Sequence, residues 1–246
     1  AATGTSINVS SGTLNLNNDT TVATPLTLSG GTLAGSGNVT VTGPFNVTAT
    51  STLSGTGTFT TQGTSTLDMT GAGSFLALTG GKTWINQGTA TLGGDDLIYF
   101  GYSSGGANAL TNAAGATFNL TTTNANPLSL WTGTATFDNA GTFNNAAAVT
   151  HTLSSGIAFN NTGTVNVTAG TLTIAGNGSD TGTYSVATGT TLAFSAGTRT
   201  LNAGSNITGA GTLVVSGATV HATGLRGIAA TGTSINVSSG TLNLNN

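Results

Sequence analysis

The sequence predicts an all-β protein, a parallel β-helix (β-solenoid) with rungs of about 20 residues, on three observations. The chain is poor in charge and rich in small residues: 4% of its 246 residues are charged, 39 are Gly, and Glu is absent. Short apolar segments alternate with Thr, Asn or Ser, which is the period-2 pattern of a strand with one buried face. These segments recur about every 20 residues, a period typical of stacked coils.

The composition argues against several other classes of protein. Helical and mixed α/β enzymes are built from good helix formers such as Leu, Glu, Lys and Arg, not from Thr and Gly. Disordered chains combine low hydrophobicity with high charge, but here the mean hydropathy is +0.18, the net charge is −3 and only three Pro occur. No apolar run approaches the ~18 residues of a membrane span. Without Cys there can be no disulfide and no thiolate metal site.

The weak charge also argues against nucleic acid as a partner. Binding to nucleic acid rests on clustered Lys and Arg. The three basic residues Lys82, Arg199 and Arg226 are too few and too scattered to form such a patch. We therefore expect neither a nucleic-acid partner nor a membrane span.

The short repeat is clearest near the two ends of the chain. Residues 11–70 divide into three blocks of twenty, and each block has a Thr-Leu pair near its start, at Leu14, Leu33 and Leu53. Each rung of a solenoid buries its apolar face against its neighbours, so residues at matching positions should stack. The other matching positions are Leu26/Leu28, Phe45/Val47 and Leu67/Met69, Val39/Val41 and Phe59, and Leu172/Ile174, Leu192/Phe194 and Leu213/Val215.

The middle third is looser but keeps a second pattern, in which a short strand ends in Asn shortly before a Gly. These Asn residues are spaced more widely than the blocks near the N-terminus, so the middle rungs should carry longer loops. Asn at the same corner of successive rungs could form a hydrogen-bonded ladder that satisfies backbone groups. The four segments are Trp84-Ile85-Asn86, Leu110-Thr111-Asn112, Phe137-Asp138-Asn139 and Phe159-Asn160-Asn161.

The chain also contains a long identical repeat. Residues 1–18 recur unchanged at 229–246, so that position 229 repeats position 1. We interpret residues 1–246 as one continuous β-solenoid, in which 1–228 form one long repeat and 229–246 begin the next. A duplication without biological meaning is the alternative. The residues expected to match in the two copies, and to serve in assembly, are Ile7, Val9, Leu14 and Leu16 with Ile235, Val237, Leu242 and Leu244.

Two segments carry a resemblance to a known class of proteins. Phe159-Asn-Asn-Thr-Gly-Thr-Val-Asn-Val-Thr-Ala-Gly-Thr-Leu172 and Ser205-Asn-Ile-Thr-Gly-Ala-Gly-Thr-Leu213 resemble the Gly/Thr-rich β-strand repeats of large bacterial surface proteins. They are similar in style to filamentous-haemagglutinin and autotransporter-passenger repeats. The resemblance covers most of the chain, least well residues 71–130. It implies a secreted, right-handed parallel β-helix with adhesive or structural work, and no shared catalytic residues.

Residues that could carry chemistry are few and scattered. Of the six Asp only Asp95 and Asp96 are adjacent, and neighbours on a strand point to opposite faces, whereas glycan cleavage needs carboxylates on one face. His151 and His221 lie far apart in the sequence, without the close spacing of metal ligands. The segment 176–180 is a single faint copy of a calcium repeat that requires stacked copies. We predict that the chain is not an enzyme and has no catalytic residue, metal site or cofactor.

One window, residues 84–131, is enriched in aromatic residues. Aromatic rings beside carboxylates are typical of sugar-binding faces, because the rings stack on the apolar faces of sugars. A locally larger core or a capping loop would explain the same enrichment. The candidate glycan-binding residues are Trp84, Asp95, Asp96, Tyr99, Tyr102 and Trp131.

Three functions follow from these patterns. The leading one is a structural or adhesive repeat unit of a bacterial extracellular fibre or surface protein, in which units stack end to end with one another into a stiff filament. The alternative is a surface module that binds extracellular glycans through the aromatic window. The third is ice binding by a flat Thr-rich face, which needs Thr-x-Thr pairs in register. Such pairs occur without a steady period, at Thr56/Thr58, Thr64/Thr66 and Thr134/Thr136.

Overall fold

The computed structural model describes residues 5–223 and 234–245. Over these residues the chain forms thirty-two short strands and no helix, and therefore no helix that could cross a membrane. The strands stack into three parallel sheets, which the chain visits in a fixed order. One passage through the three sheets makes one rung. The prediction of an all-β parallel β-solenoid is confirmed.

The strands are three to six residues long, and within each sheet they stack in the order of the chain. Sheet 1 contains β1 (Ile7–Val9), β4 (Leu26–Leu28), β7 (Phe45–Val47), β10 (Thr64–Leu67), β13 (Thr89–Leu92), β16 (Thr117–Leu120), β19 (Thr142–Asn145), β22 (Thr164–Val167), β25 (Thr183–Val186) and β28 (Asn206–Thr208). Sheet 2 contains β2 (Thr13–Asn15), β5 (Thr32–Ala34), β8 (Ser51–Ser54), β11 (Phe75–Thr79), β14 (Leu97–Phe100), β17 (Leu128–Leu130), β20 (Thr150–Leu153), β23 (Thr171–Ile174), β26 (Thr191–Phe194), β29 (Thr212–Val215) and β31 (Ser234–Val237). Sheet 3 contains β3 (Thr20–Val22), β6 (Val39–Val41), β9 (Thr58–Thr61), β12 (Thr83–Asn86), β15 (Ala107–Asn112), β18 (Thr134–Asn139), β21 (Ile157–Asn161), β24 (Gly178–Asp180), β27 (Thr198–Asn202), β30 (Thr219–Thr223) and β32 (Thr241–Leu244).

The core is a thin column of apolar side chains between the three sheets. Leu172, Leu192 and Leu213 are consecutive partners in sheet 2, and all three are fully buried. Parallel strands lie about 4.8 Å apart, so each side chain packs directly on its equivalents in the neighbouring rungs. The predicted stacking of these rungs is confirmed, and the Thr-Leu pairs of the three N-terminal blocks stack in the same way.

One predicted pairing is wrong, because the register differs from the predicted one by two residues, which is one inward-facing position. The sequence pattern matches Leu67 to Phe45, but in the structure Ser65 is the partner of Phe45. Met69 consequently lies beyond the end of β10 rather than in it. Its backbone N–H donates a hydrogen bond to Asp96 Oδ2 (2.6 Å). Met69 is therefore a corner residue of the core, and its backbone N–H bonds a side chain of the next rung.

A ladder of buried Asn runs along the corner between sheet 3 and sheet 1. Asn86, Asn112 and Asn139 each donate from Nδ2 to the Oδ1 of the next Asn along the axis, at 2.8 Å in every case. Asn161 is the last acceptor in this series. The same Nδ2 groups also bond backbone carbonyls of the following rung, as in the 2.9 Å hydrogen bond from Asn112 to Thr142 O. The predicted Asn ladder is confirmed.

The corner beside this ladder is too tight for a side chain. A Cβ on Gly163, two residues after Asn161, would collide with the carbonyl oxygen of Gly141 on the preceding rung. Gly163 is not in the left-handed region, so the requirement comes from close approach and not from backbone angles. Asn thus bonds the corner's carbonyls, and the Gly that follows lets successive corners approach each other.

Truncation of one ladder residue should destabilise the protein strongly. In Asn112→Ala the Asn86 donor and the Asn139 acceptor lose their partner in a site closed to water. Each buried unpaired polar group costs about 1–3 kcal/mol, so we expect a loss of roughly 2–4 kcal/mol in the free energy of unfolding. Urea denaturation followed by circular dichroism measures this loss.

The matched control is a second, half-buried Asn ladder on the outer face of sheet 1. There Asn144 donates to Asn119 Oδ1 (2.8 Å) and accepts from Asn166 Nδ2 (2.9 Å). Water can replace these hydrogen bonds, so Asn144→Ala should cost less than about 1 kcal/mol. Equal losses in the two variants would show that burial of the inner ladder does not set its contribution.

Candidate functional site

Four aromatic rings form a contiguous group on the surface of the protein. Trp131 is 58% exposed, and its ring centroid lies 5.0 Å from that of Tyr102 and 5.6 Å from that of Tyr99. Phe75 completes the group, at 4.6 Å from Tyr102 and 5.1 Å from Tyr99. The rings are tilted or edge-on to one another, as aromatic pairs prefer. We call Phe75, Tyr99, Tyr102 and Trp131 the aromatic patch.

The patch spans three successive rungs of sheet 2. Phe75 begins β11 and Trp131 directly follows β17, with β14 between these strands. Tyr102 lies in the turn after β14, next to Gly101 with φ of +74°. A Cβ on Gly101 would collide with Thr132 O, so this turn approaches the next rung closely. That approach brings the Tyr102 ring against Trp131.

Only three of the six predicted glycan-binding residues belong to the aromatic patch. Trp84 is fully buried in the core of sheet 3, where its Nε1–H donates to Thr61 Oγ1 (3.0 Å). A buried ring cannot stack on a ligand, so Trp84 is a core residue. Phe75 belongs to the patch although the sequence pattern did not single it out. Its outward-facing position on β11, the strand of sheet 2 that pairs with the Tyr99 strand β14, could have indicated this.

The two adjacent carboxylates of the same window have different environments. Asp95 is exposed, whereas Asp96 is buried in the corner before β14. Asp96 Oδ2 accepts the Met69 hydrogen bond, and Asp96 Oδ1 has no hydrogen-bond partner among the residues that the structure describes. Burial raises the pKa of Asp96, and the negative charges of Asp68 and Asp95 raise it further. Asp96 therefore belongs to the corner and not to an exposed binding face.

A buried polar cluster, which the sequence pattern did not reveal, closes the Asn ladder. Asp180 takes the next ladder position, and its Oδ1 accepts from the backbone N–H of Asn161 (3.0 Å). Arg199 Nη2 donates to Asp180 Oδ1 and Oδ2 at 2.6 and 2.5 Å, and lies 3.2 Å from Tyr184 Oη. Gly178 leaves room for this arrangement, because a Cβ there would lie 2.6 Å from Arg199 Nη1.

The charges of this cluster are paired inside the core. Burial raises the pKa of Asp180, and the facing Arg199 opposes that rise. Burial also raises the pKa of Tyr184 well above its ordinary value, so its hydroxyl stays protonated. The Arg199 guanidinium carbon lies 5.2 Å from the Phe194 ring centroid and 5.7 Å from that of Phe159. The buried Asp180 carboxylate is thus neutralised by its ion pair with Arg199.

The two histidines lie in different sheets and do not converge on one site. His151 is buried on β20, with Nε2 2.9 Å from Thr122 O and Nδ1 2.5 Å from Asn145 Oδ1. Burial lowers the pKa of His151. His221 lies on β30, where its Nδ1 is 3.2 Å from Asn243 Nδ2. Both histidines contact polar groups of the fold itself.

The outer Thr residues form columns but not a regular two-column array. In sheet 1 a second column, two residues along the strand, contains Thr66 and Thr91 and then continues as Asn119 and Asn144. Thr-x-Thr pairs therefore face each other on only two adjacent rungs of this sheet. The ice-binding interpretation requires a longer regular array than this face provides. The first column consists of Thr64, Thr89, Thr117, Thr142, Thr164 and Thr183.

The two copies of the duplicated segment lie at opposite ends of the stack. Ile7–Val9 is the first strand of sheet 1, whereas Ser234–Val237 is the last strand of sheet 2. The following strands, Thr13–Asn15 and Thr241–Leu244, likewise lie in sheets 2 and 3. Residues 1–4, 229–233 and 246 of the copies lie outside the described residues.

Three of the four matching apolar side chains are more exposed in the second copy than in the first. Val9 is 6% exposed and Val237 is 47% exposed, although their local sequences are identical. Ile235 and Leu244 are 43% and 56% exposed, and Leu242 is only partly buried. In the first copy Ile7, Leu14 and Leu16 are partly buried against the core. The use of these residues in assembly stays a prediction.

In the part of the chain that the structure describes there is no pocket, and no three His, Cys, Asp or Glu side chains are placed to hold a metal ion. No family model matches the chain, and no curated protein or solved structure shows significant similarity to it.

Removal of one partner of the buried ion pair should be costly. Arg199→Met leaves the Asp180 carboxylate buried without its counter-charge, and breaking a buried pair from one side costs about 3–5 kcal/mol. The double variant Asp180→Asn/Arg199→Met removes both charges and places an Asn where the ladder would continue. We expect it to recover most of the loss in a urea unfolding series. A double variant no more stable than Arg199→Met would contradict this account of the cluster.

Proposed function

We propose that the chain is a structural repeat unit of an extracellular or cell-surface fibre, in which successive copies continue one β-solenoid end to end. Its partners are other copies of itself, and the proposal includes no catalytic reaction and no cofactor. The resemblance to Gly/Thr-rich bacterial surface repeats favours a bacterial cell surface as its location. An adhesive role is a finer part of the same proposal.

The observation that carries the proposal is that the second copy of the duplicated segment continues the stack, with β31 on β29 and β32 on β30. Ile235 and Val237 are stacked on Leu213 and Val215, which are fully buried core residues. They therefore continue the core column into the second copy. Residues 229–246 repeat the start of the chain, so the remainder of a second repeat is suited to extend this column.

The interior of the stack supports a mechanical role. Backbone hydrogen bonds run parallel to the axis from rung to rung, and one continuous apolar cluster extends from Val9 to Ala222. In solenoids each rung contacts only its neighbours, so stability grows with every added rung. An array of such repeats would resist bending, because bending must break either the axial ladders or the apolar column.

The test uses a chain of two consecutive copies of residues 1–228 examined by electron microscopy. About ten rungs at ~4.8 Å give each repeat an axial length of roughly 50 Å. The two-repeat chain should therefore be a straight rod that is longer than a single repeat by that amount. Val237→Asp at the junction should introduce a hinge, because it places a charge in the core column. The outward-facing Asn236→Asp is the matched control and should leave the rod straight. Two separate bodies joined flexibly in the unmodified chain would contradict the proposal.

The aromatic patch favours a second candidate function, binding of extracellular glycans. Trp131 presents more than half of its surface to solvent on a protein whose exterior is otherwise mostly Thr, Asn, Ser and Gly. Ring faces bind the apolar faces of sugars. Because the described surface has no pocket, the ligand would be an extended polysaccharide that lies along the rungs rather than an enclosed sugar.

Sedimentation with insoluble polysaccharides tests this second function. Trp131→Ala should weaken binding at least tenfold, since the largest exposed ring supplies most of the stacking area. Thr136→Ala, on the outer face of sheet 3, is the control and should bind as the unmodified protein does. Unchanged binding in Trp131→Ala would remove the patch from consideration as a glycan site.

A further inference from the structure

The identical copies occupy different sheets, and this displacement is consistent over both strands. The copy of β1 is found in sheet 2 as β31, and the copy of β2 is found in sheet 3 as β32. Both strands have moved by one sheet in the direction in which the chain winds. The same sequence is therefore compatible with two sides of the solenoid.

The pairing of the displaced strands keeps every apolar residue on the inner face. Ile235 pairs with Leu213 and Val237 with Val215, while Leu242 pairs with Val220. The polar residue between the first two, Asn236, pairs with the outward-facing Val214. A register slip by one residue would turn the apolar set outward. The displaced position thus satisfies the same inside-outside pattern as the original one.

Chain length agrees with a displacement of one sheet. Ten residues separate Thr223, the end of β30, from Ser234, the start of β31. In earlier rungs the passage from sheet 3 to sheet 2 includes one whole sheet 1 strand and takes a similar number of residues, nine between Val22 and Thr32 and ten between Asp180 and Thr191. A direct corner from sheet 3 to sheet 1 takes only two residues from Asn161 to Thr164.

We propose that one long repeat, residues 1–228, advances the solenoid by ten rungs and one further side, so that successive repeats are rotated by one third of a turn about the axis. The inference rests on the proposed end-to-end stacking, and the partner is the next copy of this chain. Each repeat then rises by about 50 Å, and three repeats, or thirty-one rungs, bring the same residue back to the same side after about 150 Å.

This geometry determines how a repeated surface feature is presented. The aromatic patch lies on sheet 2 in this repeat, so in the next two repeats it faces the other two sides of the filament. Copies of the patch are then spaced about 50 Å apart along a three-fold screw. A large surface that contacts the filament from one side meets one patch about every 150 Å, whereas a surrounding matrix meets all of them.

Cysteine pairs in the present chain test the displacement, because the protein contains no native Cys. Val214 and Asn236 are outward-facing partners in the displaced arrangement, within the Cα range that a disulfide bridges. Without rotation the copy of β1 would lie on β28, and Thr208 would instead face Asn236. The variants are Val214→Cys/Asn236→Cys and Thr208→Cys/Asn236→Cys, oxidised in the native state, unfolded, alkylated and weighed by mass spectrometry.

The expected result is loss of both free thiols in Val214→Cys/Asn236→Cys and retention of both in Thr208→Cys/Asn236→Cys. Thr173→Cys/Ala193→Cys, at outward partners in the middle of sheet 2, is the positive control for closure. Closure of the Thr208 pair alone would overturn the rotation but leave end-to-end stacking intact. Closure of neither pair, with the control closed, would overturn the stacking of the second copy and with it the proposed function.

Discussion

In-register parallel stacking is the constraint on which the rest of the structure depends. Every strand bonds its neighbours along the axis, about 4.8 Å away, so each side chain lies directly above and below its equivalents. A residue is tolerated only if it packs or bonds with the residues at the same position in the adjacent rungs. Leu on Leu in sheet 2 and Asn on Asn at the corner between sheets 3 and 1 both satisfy this condition.

The same constraint explains how far the fold could be predicted from the sequence. Apolar residues that alternate within strands and recur once per rung define both the inner face and the stacking partner, as at Leu172 and Leu192. The pattern failed at Phe45 and Ser65, because Ser at an inner position carries no apolar signal. The longer middle rungs vary in their corners, where no periodicity exists to fix the alignment.

The candidate site was less predictable, for reasons that particular residues make clear. Trp84 and Asn86 are two residues apart on one strand and so share a face. If Asn86 points inward to form the ladder, Trp84 must also be buried. The enrichment of the window in aromatic residues did not reveal this. The ion pair between Arg199 and Asp180 joins side chains of two adjacent rungs. From the sequence alone an Arg at an inner position therefore looks anomalous, because its partner is known only once the strands are aligned. The aromatic patch required the same knowledge, since its rings come from three rungs.

The scarcity of charge follows from stacking as well. Two like charges on adjacent rungs would lie about 4.8 Å apart, where repulsion is about 1 kcal/mol in water and several-fold larger near a protein surface. Along a column of ten rungs this cost would recur at every step. Among the described strands no two charged residues occupy directly opposite positions in the register of adjacent strands. Asp138 lies between Thr111 and Asn160, and Asp180 lies between Asn161 and Leu201. Thr and Asn avoid the repulsion while still bonding water or one another, so a low-charge composition is what a long in-register stack selects.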